Sequence, residues 1–259
     1  MSQAAIPSDQ TALPETMYVA HLLERVRLFQ SLTQSDLMTV ARAARTYEVD
    51  QDRFFFHEGI LADHVYLLRH GCVKLTQSTP QGTEVVLHFV GPGAVFGAAA
   101  VLSEQPHPVS AQAMCWCQAF AWSGGIMARL LEGYPRIALN AMTEVVDQTV
   151  ELQNRCQELA TDCVERRLAR ALWHLGEQAG RKTQDGLLID LPLVRHDLAS
   201  MTGTTPYTVS RTLSGWERSG LIAAGRQWIV IRETDGLRAI TDKPERAHTR
   251  SVVSASREP

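Results

Sequence analysis

The chain has 259 residues, of which 45% are hydrophobic and 20% charged, a composition typical of folded globular proteins and not of disordered or fibrous ones. Its 25 lysines and arginines against 28 aspartates and glutamates give a formal net charge of -3, which by itself argues against a surface that is basic throughout. The sequence contains no apolar run long enough to cross a membrane and no secretory signal pattern at its start, so we expect a cytoplasmic protein without membrane contacts.

The two ends, residues 1–16 and 241–259, lack a periodic apolar pattern, and we expect both to be disordered tails. Residues 17–44 have the helical period, with Thr33 as the N-cap of a second helix. The period then changes to that of strands. Short β-branched and aromatic runs separated by glycines occupy residues 54–56, 65–68, 73–76 and 85–90, and they predict an antiparallel β-roll domain over residues 17–134.

A helix of about 30 residues is predicted next, with a hinge near residues 163–165, so that helix and hinge span residues 135–164. Apolar or small side chains recur in alternating steps of four and three residues, the pattern of a coiled-coil seam. These residues are Ala138, Met142, Val145, Thr149, Leu152, Cys156, Leu159 and Cys163. A stripe of this length could pack on its own domain, but it exceeds what a small roll covers, so we favour a parallel homodimer.

Residues 165–240 predict a helical DNA-binding domain built around a helix-turn-helix at residues 194–222. Leu198 and Ala199 suit the first helix, Gly203 suits the turn, and Thr205 with Pro206 has the signature of a second helix start. The strand-like segment after Gly225 predicts a β wing.

The second helix has two distinct faces. Val209, Leu213 and Trp216 fall at core positions, and the opposite face is polar. Six residues there are candidates for DNA contact: Thr205, Pro206, Tyr207, Ser210, Arg211 and Ser214. Arg211 can pair with guanine through two hydrogen bonds, and Arg195, Arg218 or Arg226 could contact phosphates. Residues 165–240 hold 11 lysines and arginines against 8 aspartates and glutamates, so the basic charge is concentrated where DNA would bind.

The whole order of elements resembles the CRP/FNR family of bacterial transcription regulators. The resemblance rests on Gly59, on residues 66–68 and 71–75, on the segment 91–97, on the long helix and on the helix-turn-helix. It implies an α+β fold with a cyclic-nucleotide-binding-like β-roll that senses an effector, a dimerisation helix and a winged helix-turn-helix. It also implies a homodimer that binds an inverted-repeat operator in double-stranded DNA and contacts RNA polymerase.

Two departures from the family pattern bear on the effector. The cyclic-nucleotide-binding members hold ribose with a Glu and phosphate with an Arg, and this chain has Ala98 and Val109 at those positions. We therefore predict an effector other than cAMP or cGMP. No cysteine precedes Cys72, which argues against an N-terminal [4Fe–4S] cluster. The predicted effector pocket consists of Phe96, Gly97, Ala98, His107, Ser110, Leu152 and Gln153.

The segment from Phe96 to Ala113 is most similar to the DNR-like and FNR-like branch, which does not use cAMP and includes nitric-oxide-responsive regulators associated with haem. The resemblance makes haem a possible cofactor. The candidate axial ligands are His64, His70, Cys72, His88 and His107.

Three alternatives remain open at this stage. A β-roll also resembles the cupin scaffold of metal-dependent enzymes, but the chain has no His-x-His pair, so we expect no enzyme activity. A regulator of the same family could act without a ligand, or through thiol redox at Cys115 and Cys117, which we place on one face of a strand. Five cysteines without a regular framework favour reduced thiols, and inert buried thiols are the preferred interpretation.

Overall fold

The structure is a computed structural model that describes residues 12–80, 82, 84–189, 191–225 and 228–242. The α-helices are α1 (Ala12–Leu23), α2 (Gln34–Arg42), α3 (Ala98–Leu102), α4 (Gly124–Gly133), α5 (Pro135–Thr161), α6 (Val164–Ala179), α7 (Arg195–Thr202), α8 (Pro206–Arg218) and α9 (Thr234–Asp242), and a 3-10 helix spans Arg27–Phe29. The strands are β1 (Arg45–Val49), β2 (Phe54–Phe56), β3 (His64–His70), β4 (Val73–Ser78), β5 (Glu84–Val90), β6 (Val95–Phe96), β7 (Ser110–Ala113), β8 (Cys117–Ser123), β9 (Gly180–Thr183), β10 (Gly186–Ile189), β11 (Ile222–Ala224) and β12 (Ile229–Ile231).

The strands β1 to β8 form the predicted roll as two antiparallel sheets. One has the order β1-β8-β3-β6 and the other β2-β7-β4-β5. The first sheet is backed by α1, α2 and α4, whose apolar side chains enclose Trp122. The buried indole Nε1 of Trp122 donates a hydrogen bond of 3.0 Å to the carbonyl oxygen of Val40, so α2 is fixed to the roll by a polar contact as well as by packing.

The predicted start of α2 is confirmed at Thr33. Its hydroxyl oxygen accepts a hydrogen bond from the backbone N–H of Asp36, and the Asp36 carboxylate accepts one from the N–H of Thr33. This reciprocal capping box satisfies two N–H groups that the helix itself leaves without partners.

The C-terminal part packs α6 to α9 around a small sheet of order β11-β12-β10-β9. Ile222 pairs with Ile231 in the β11–β12 hairpin, which is the wing expected after Gly225. Leu168, Leu172 and Leu175 of α6 are buried in the same core as Val209 and Leu213 of α8. The architecture agrees with the predicted α+β fold.

The roll and the C-terminal part also touch each other within the chain. Phe89 and Met114 of the roll belong to the same apolar cluster as Leu168. The contact continues through α7, which packs against β5. Sequence periodicity gives no sign of this contact, because it joins elements that lie more than 50 residues apart in the chain.

Some predicted boundaries need correction. Residues 12–16 belong to α1 and not to a tail, and residues 241–242 belong to α9; residues 1–11 and 243–259 of the predicted tails lie outside the described residues. The break after α5 falls at residues 162–163, slightly before the predicted hinge, because Asp162 and Cys163 have extended backbone conformations. Within the described residues, no helix combines the length and apolar character of a membrane span.

Candidate DNA interface and sensor cavity

Local capping fixes the geometry of the helix-turn-helix. The N–H of Val194 donates to the Asp197 carboxylate at the start of α7. Gly203 follows α7 with φ 60° and ψ 45°, a left-handed conformation that glycine adopts at little cost. Thr205 then caps α8, because its hydroxyl accepts a hydrogen bond of 3.2 Å from the N–H of Thr208, and Pro206 occupies the first helical position.

The two faces of α8 separate as the sequence pattern predicts. Val209, Leu213 and Trp216 are buried, and the Trp216 indole N–H donates to the Glu165 carboxylate at 3.1 Å, which ties α8 to α6. The six candidate DNA-contacting residues lie on the other side. Thr205, Pro206, Tyr207, Arg211 and Ser214 are exposed, and Ser210 is half-buried.

The candidate phosphate contacts differ in their exposure. Arg218 is exposed and its Nε donates to the carbonyl oxygen of Ser214, whereas Arg195 at the start of α7 is half-buried. Arg226 lies outside the described residues. The polar face of α8 is thus open to a partner, with tyrosine and arginine as its largest side chains; Tyr207 retains 75% of its accessible surface.

The face of α5 that carries the predicted seam is exposed within the single chain. Met142 is 66% exposed and Leu152 61% exposed, and Val145, Thr149, Cys156 and Leu159 are exposed too. Sequence reasoning missed Leu139, Val146 and Val150, which are also exposed and widen the apolar stripe. Exposed apolar side chains in a continuous row are typical of an interface.

The junction between α5 and α6 contains a cluster of charged residues that the sequence analysis did not identify. The Asp162 carboxylate pairs with Arg166 and with Arg170, and Arg170 also pairs with Glu158 at 2.9 Å. Arg167 donates from Nε to the carbonyl oxygen of Thr202 at 2.8 Å and from a terminal nitrogen to that of Asp162 at 2.7 Å. Arg167 therefore connects the end of α5 to the end of α7. The i, i+4 spacing of Asp162 and Arg166 was the available signal.

A cavity of about 310 Å³ lies between the roll and α5, and we call it the sensor cavity. It brings together four of the predicted pocket residues: Phe96, Gly97, Ala98 and His107. Gly97 has φ 80°, and a Cβ there would lie 3.0 Å from the carbonyl oxygen of His64, so the turn before α3 needs glycine.

Three predicted pocket residues do not line the sensor cavity. The Ser110 hydroxyl instead accepts a hydrogen bond from the N–H of Glu58, Gln153 is exposed, and Leu152 lines a neighbouring cavity of about 540 Å³ between β5, α5 and α7. The long helix instead contributes residues from two helical turns closer to its start: Ala141, Glu144, Val145 and Gln148. The predicted residues lie too far towards the end of α5. The point at which this helix crosses the roll is set by tertiary packing, which the sequence pattern does not show.

Two titratable groups in the sensor cavity are perturbed by burial. Burial lowers the pKa of His107, with a smaller opposing effect from Asp63. The His107 ring stacks on Phe56 with ring centres 3.6 Å apart, and its Nε2 has no hydrogen-bond partner among the described residues. Burial raises the pKa of Glu144, and nearby Arg27 acts in the opposite direction.

The candidate haem ligands do not converge on one site. His88 and His107 line the sensor cavity, but His64 pairs with Asp63 and His70 is exposed at the end of β3. Cys72 is buried, and burial raises its pKa to about 12, which disfavours the thiolate that would ligate iron. Because His107 is stacked and its Nε2 is buried, and because the described lining has no lysine or arginine for haem propionates, these residues do not fit haem in this conformation.

The predicted arrangement of Cys115 and Cys117 needs correction. Cys117 begins β8 and is buried, whereas Cys115 lies in the turn before it and is half-buried. Burial raises the pKa of Cys117 to about 11, so it is a protonated thiol at neutral pH. Among the described residues, no group of three or more His, Cys, Asp or Glu side chains is placed to hold a metal ion.

Comparison with known protein families identifies both halves of the chain. The cyclic nucleotide-binding domain family matches residues 47–134, and the Crp-like helix-turn-helix domain family matches residues 166–240. Together the two matches indicate a regulator of transcription.

Individual relatives cover most of the chain. A CRP-like cAMP-activated global transcriptional regulator of Mycobacterium tuberculosis (strain H37Rv) is 21% identical over 83% of this chain and 96% of its own length. The fumarate and nitrate reduction regulatory protein of Salmonella typhimurium is 25% identical over 81% of both chains. The solved structure of FixK2 from Bradyrhizobium japonicum has the same fold, with a TM-score of 0.69, 21% identity and coverage of 78% of this chain and 99% of that one. The chain therefore belongs to the CRP/FNR family of transcription regulators, with a cyclic-nucleotide-binding-type roll followed by a Crp-like helix-turn-helix.

Proposed function

We propose that this protein is a homodimeric regulator that binds an inverted-repeat operator by inserting the exposed face of α8 into the major groove. The observation that carries this proposal is the division of α8 into a buried face (Val209, Leu213, Trp216) and an exposed face. Arg211 is the residue best suited to specify a base, because its planar guanidinium can donate two hydrogen bonds to one guanine. Thr205, Pro206, Tyr207, Ser210 and Ser214 would set the position of the helix against bases and phosphates.

The homodimer in this proposal forms along the exposed stripe of α5. Leaving Met142, Val145, Leu152 and Leu159 in water is unfavourable, and pairing with the same stripe of a second chain would remove that apolar surface. Two copies of α8 related by a twofold axis would then meet half-sites about one helical turn apart. A dimer of this kind would work in the cytoplasm, on genomic DNA, and would contact RNA polymerase.

The effector in this proposal binds in the sensor cavity, where the roll meets α5. Glu144, Val145 and Gln148 reach the cavity from the helix whose other residues form the stripe. A ligand that prefers one arrangement of α5 would therefore shift the spacing of the two α8 helices. The lack of lysine and arginine in the described lining supports an effector other than cAMP.

Selection of DNA from a random duplex library by the purified protein tests this function. We expect enrichment of an inverted repeat, and we expect Arg211→Ala to lose binding to the selected operator while its size in solution stays that of the wild type. Arg129→Ala is the matched control, because Arg129 is an exposed arginine on α4, far along the chain from α8. Enrichment of no sequence, or an Arg211→Ala footprint equal to the wild type, would contradict the proposal.

A further inference from the structure

The sensor cavity has an unusual charge for a site in a family whose ligands include phosphodiesters. Its walls are mainly apolar, with Phe56 and Phe96 among them. The polar side chains in the described lining are His88, His107, Glu144 and Gln148. Glu144 is the only carboxylate among these side chains, and the described lining contains no lysine or arginine to neutralise its negative charge.

The Glu144 carboxylate is not neutralised by a partner of its own. Arg27 is the cation that lowers its pKa, and Arg27 also forms an ion pair with Asp147 on the exposed side of α5. Arg27 is therefore shared between two carboxylates, and an excess of negative charge remains at this side of the cavity. Glu144 has no hydrogen-bond partner among the described residues, and it is half-buried. A carboxylate in this situation favours a ligand that brings a donor or a positive charge.

The opposite part of the wall is aromatic, with Phe56, Phe96 and His107 in the lining, and such a surface can pack against a flat ligand. The rings of Phe56 and His107 are nearly parallel, with an angle of 8° between them. His107 is only 2% exposed, and the lowered pKa of its imidazole keeps that ring neutral, so it adds no cation for an anionic ligand. Its Nε2 is buried and lacks a hydrogen-bond partner among the described residues, so this ring contributes aromatic surface and no charge to the wall.

We propose that the sensor cavity binds a small, planar, neutral or cationic compound that donates a hydrogen bond to Glu144, and that it rejects anions of the same size. The proposal rests on the proposed function, since it names the ligand class of that regulator's effector site. A volume of about 310 Å³ suits a ligand of one or two rings. An anion would meet the Glu144 carboxylate and would lose its hydration without gaining a cationic partner.

Calorimetric titration of the full-length protein, without DNA, tests the ligand class with three probes of similar shape. Benzamidine is a planar cation, indole is a neutral N–H donor, and benzoate is a planar anion. We expect benzamidine and indole to bind and benzoate to bind at least about tenfold more weakly than benzamidine. Glu144→Gln should remove this preference for benzamidine over benzoate and should leave indole binding within about threefold of the wild type, since the amide oxygen still accepts a hydrogen bond.

Glu132→Gln is the matched control, because Glu132 is an exposed glutamate on α4 and should leave all three titrations unchanged. Benzoate or cAMP binding as tightly as benzamidine overturns the proposal, and so does a preference for benzamidine over benzoate that survives Glu144→Gln. Absence of binding by both benzamidine and indole also overturns it. These outcomes are independent of the DNA selection, because a protein that fails to select an operator can still be titrated with the probes.

Discussion

The backbone N–H of Val86 in the roll donates a hydrogen bond of 3.0 Å to the hydroxyl oxygen of Ser200 in the first helix of the helix-turn-helix. Close by, Lys74 Nζ lies 3.9 Å from an Asp197 carboxylate oxygen, and both side chains are largely buried. The roll thus holds the helix-turn-helix part of the same chain through two polar contacts. The outer face of α8 stays exposed in this arrangement, so docking on the roll and contact with DNA use different surfaces.

The first prediction concerns the unequal roles of Lys74 and Asp197. Asp197 also accepts the N–H of Val194 at the start of α7, so Asp197→Ala removes a helix cap and leaves a buried ammonium without its partner. We expect it to lower the free energy of unfolding by about 3 kcal/mol. Lys74→Met leaves that cap in place and should cost less, about 1 kcal/mol. Urea unfolding measures both, and an equal loss in the two variants would show that the cap contributes nothing.

The second prediction concerns the apolar stripe of α5. Leu152→Glu places a carboxylate where a partner helix would cover it, and we expect the dimer dissociation constant to rise by about 100-fold or more, since an unpaired buried charge costs several kcal/mol. Thr39→Glu is the control, because Thr39 is an exposed threonine on α2 and lies outside the stripe of α5. Sedimentation equilibrium gives the constants. If Leu152→Glu and the control variant have the same dissociation constant, the dimer interface does not include Leu152.

The third prediction concerns Arg167 at the end of α5. Arg167→Met loses the hydrogen bonds to the carbonyl oxygens of Thr202 and Asp162, and we expect a loss of about 2–3 kcal/mol in the free energy of unfolding. Arg167→Lys should recover only part of the lost free energy of unfolding, because one ammonium cannot donate along the two directions in which the guanidinium reaches Thr202 and Asp162. Amide hydrogen exchange around Gly203 should accelerate in Arg167→Met. Unchanged exchange there would mean that Arg167 does not hold the turn.

The fourth prediction concerns pH and the buried thiols. Burial raises the pKa values of Cys72 to about 12 and of Cys117 to about 11, from an ordinary value of about 9. The unfolded chain therefore loses these protons at a lower pH than the folded chain, so their contribution to stability is fully present below pH 9 and is lost as the pH rises towards 12. At pH 8 we expect a thiol reagent to label exposed Cys163 and to leave Cys72 and Cys117 unlabelled until denaturant is added. Rapid labelling of Cys72 in the native protein would contradict this.

Residue periodicity and local start signals were sufficient to predict α2, α5, α7 and the two faces of α8, whereas α3, α4 and α9 were not predicted. Thr33, Gly203 and Thr205 act through neighbours within a few residues, and their effects follow from backbone chemistry that a sequence displays directly. Leu213 and Trp216 were likewise placed by helical spacing alone.

The sensor cavity was predicted only in part, because it depends on where distant elements cross. Phe96, Gly97 and Ala98 lie on one short segment and were identified, whereas Glu144 and Gln148 enter the cavity from a helix whose position over the roll is fixed by packing. A glutamate on a long polar helix has no sequence signal that separates it from its solvated neighbours. The turn position of Cys115 escaped prediction for a similar reason, since alternation across three residues does not distinguish a strand from the bend before it.

Gly203 forms the turn between α7 and α8, and a Cβ added to it would lie 3.2 Å from a methyl carbon of Leu159. Leu159 belongs to the apolar stripe of α5, so in a dimer paired along that stripe it would touch both the partner helix and the turn that precedes the recognition helix. Association of two chains and association with an operator would then share one free energy of coupling. If dimer formation raises the affinity for the operator by some factor, operator DNA should raise the association constant of the dimer by the same factor.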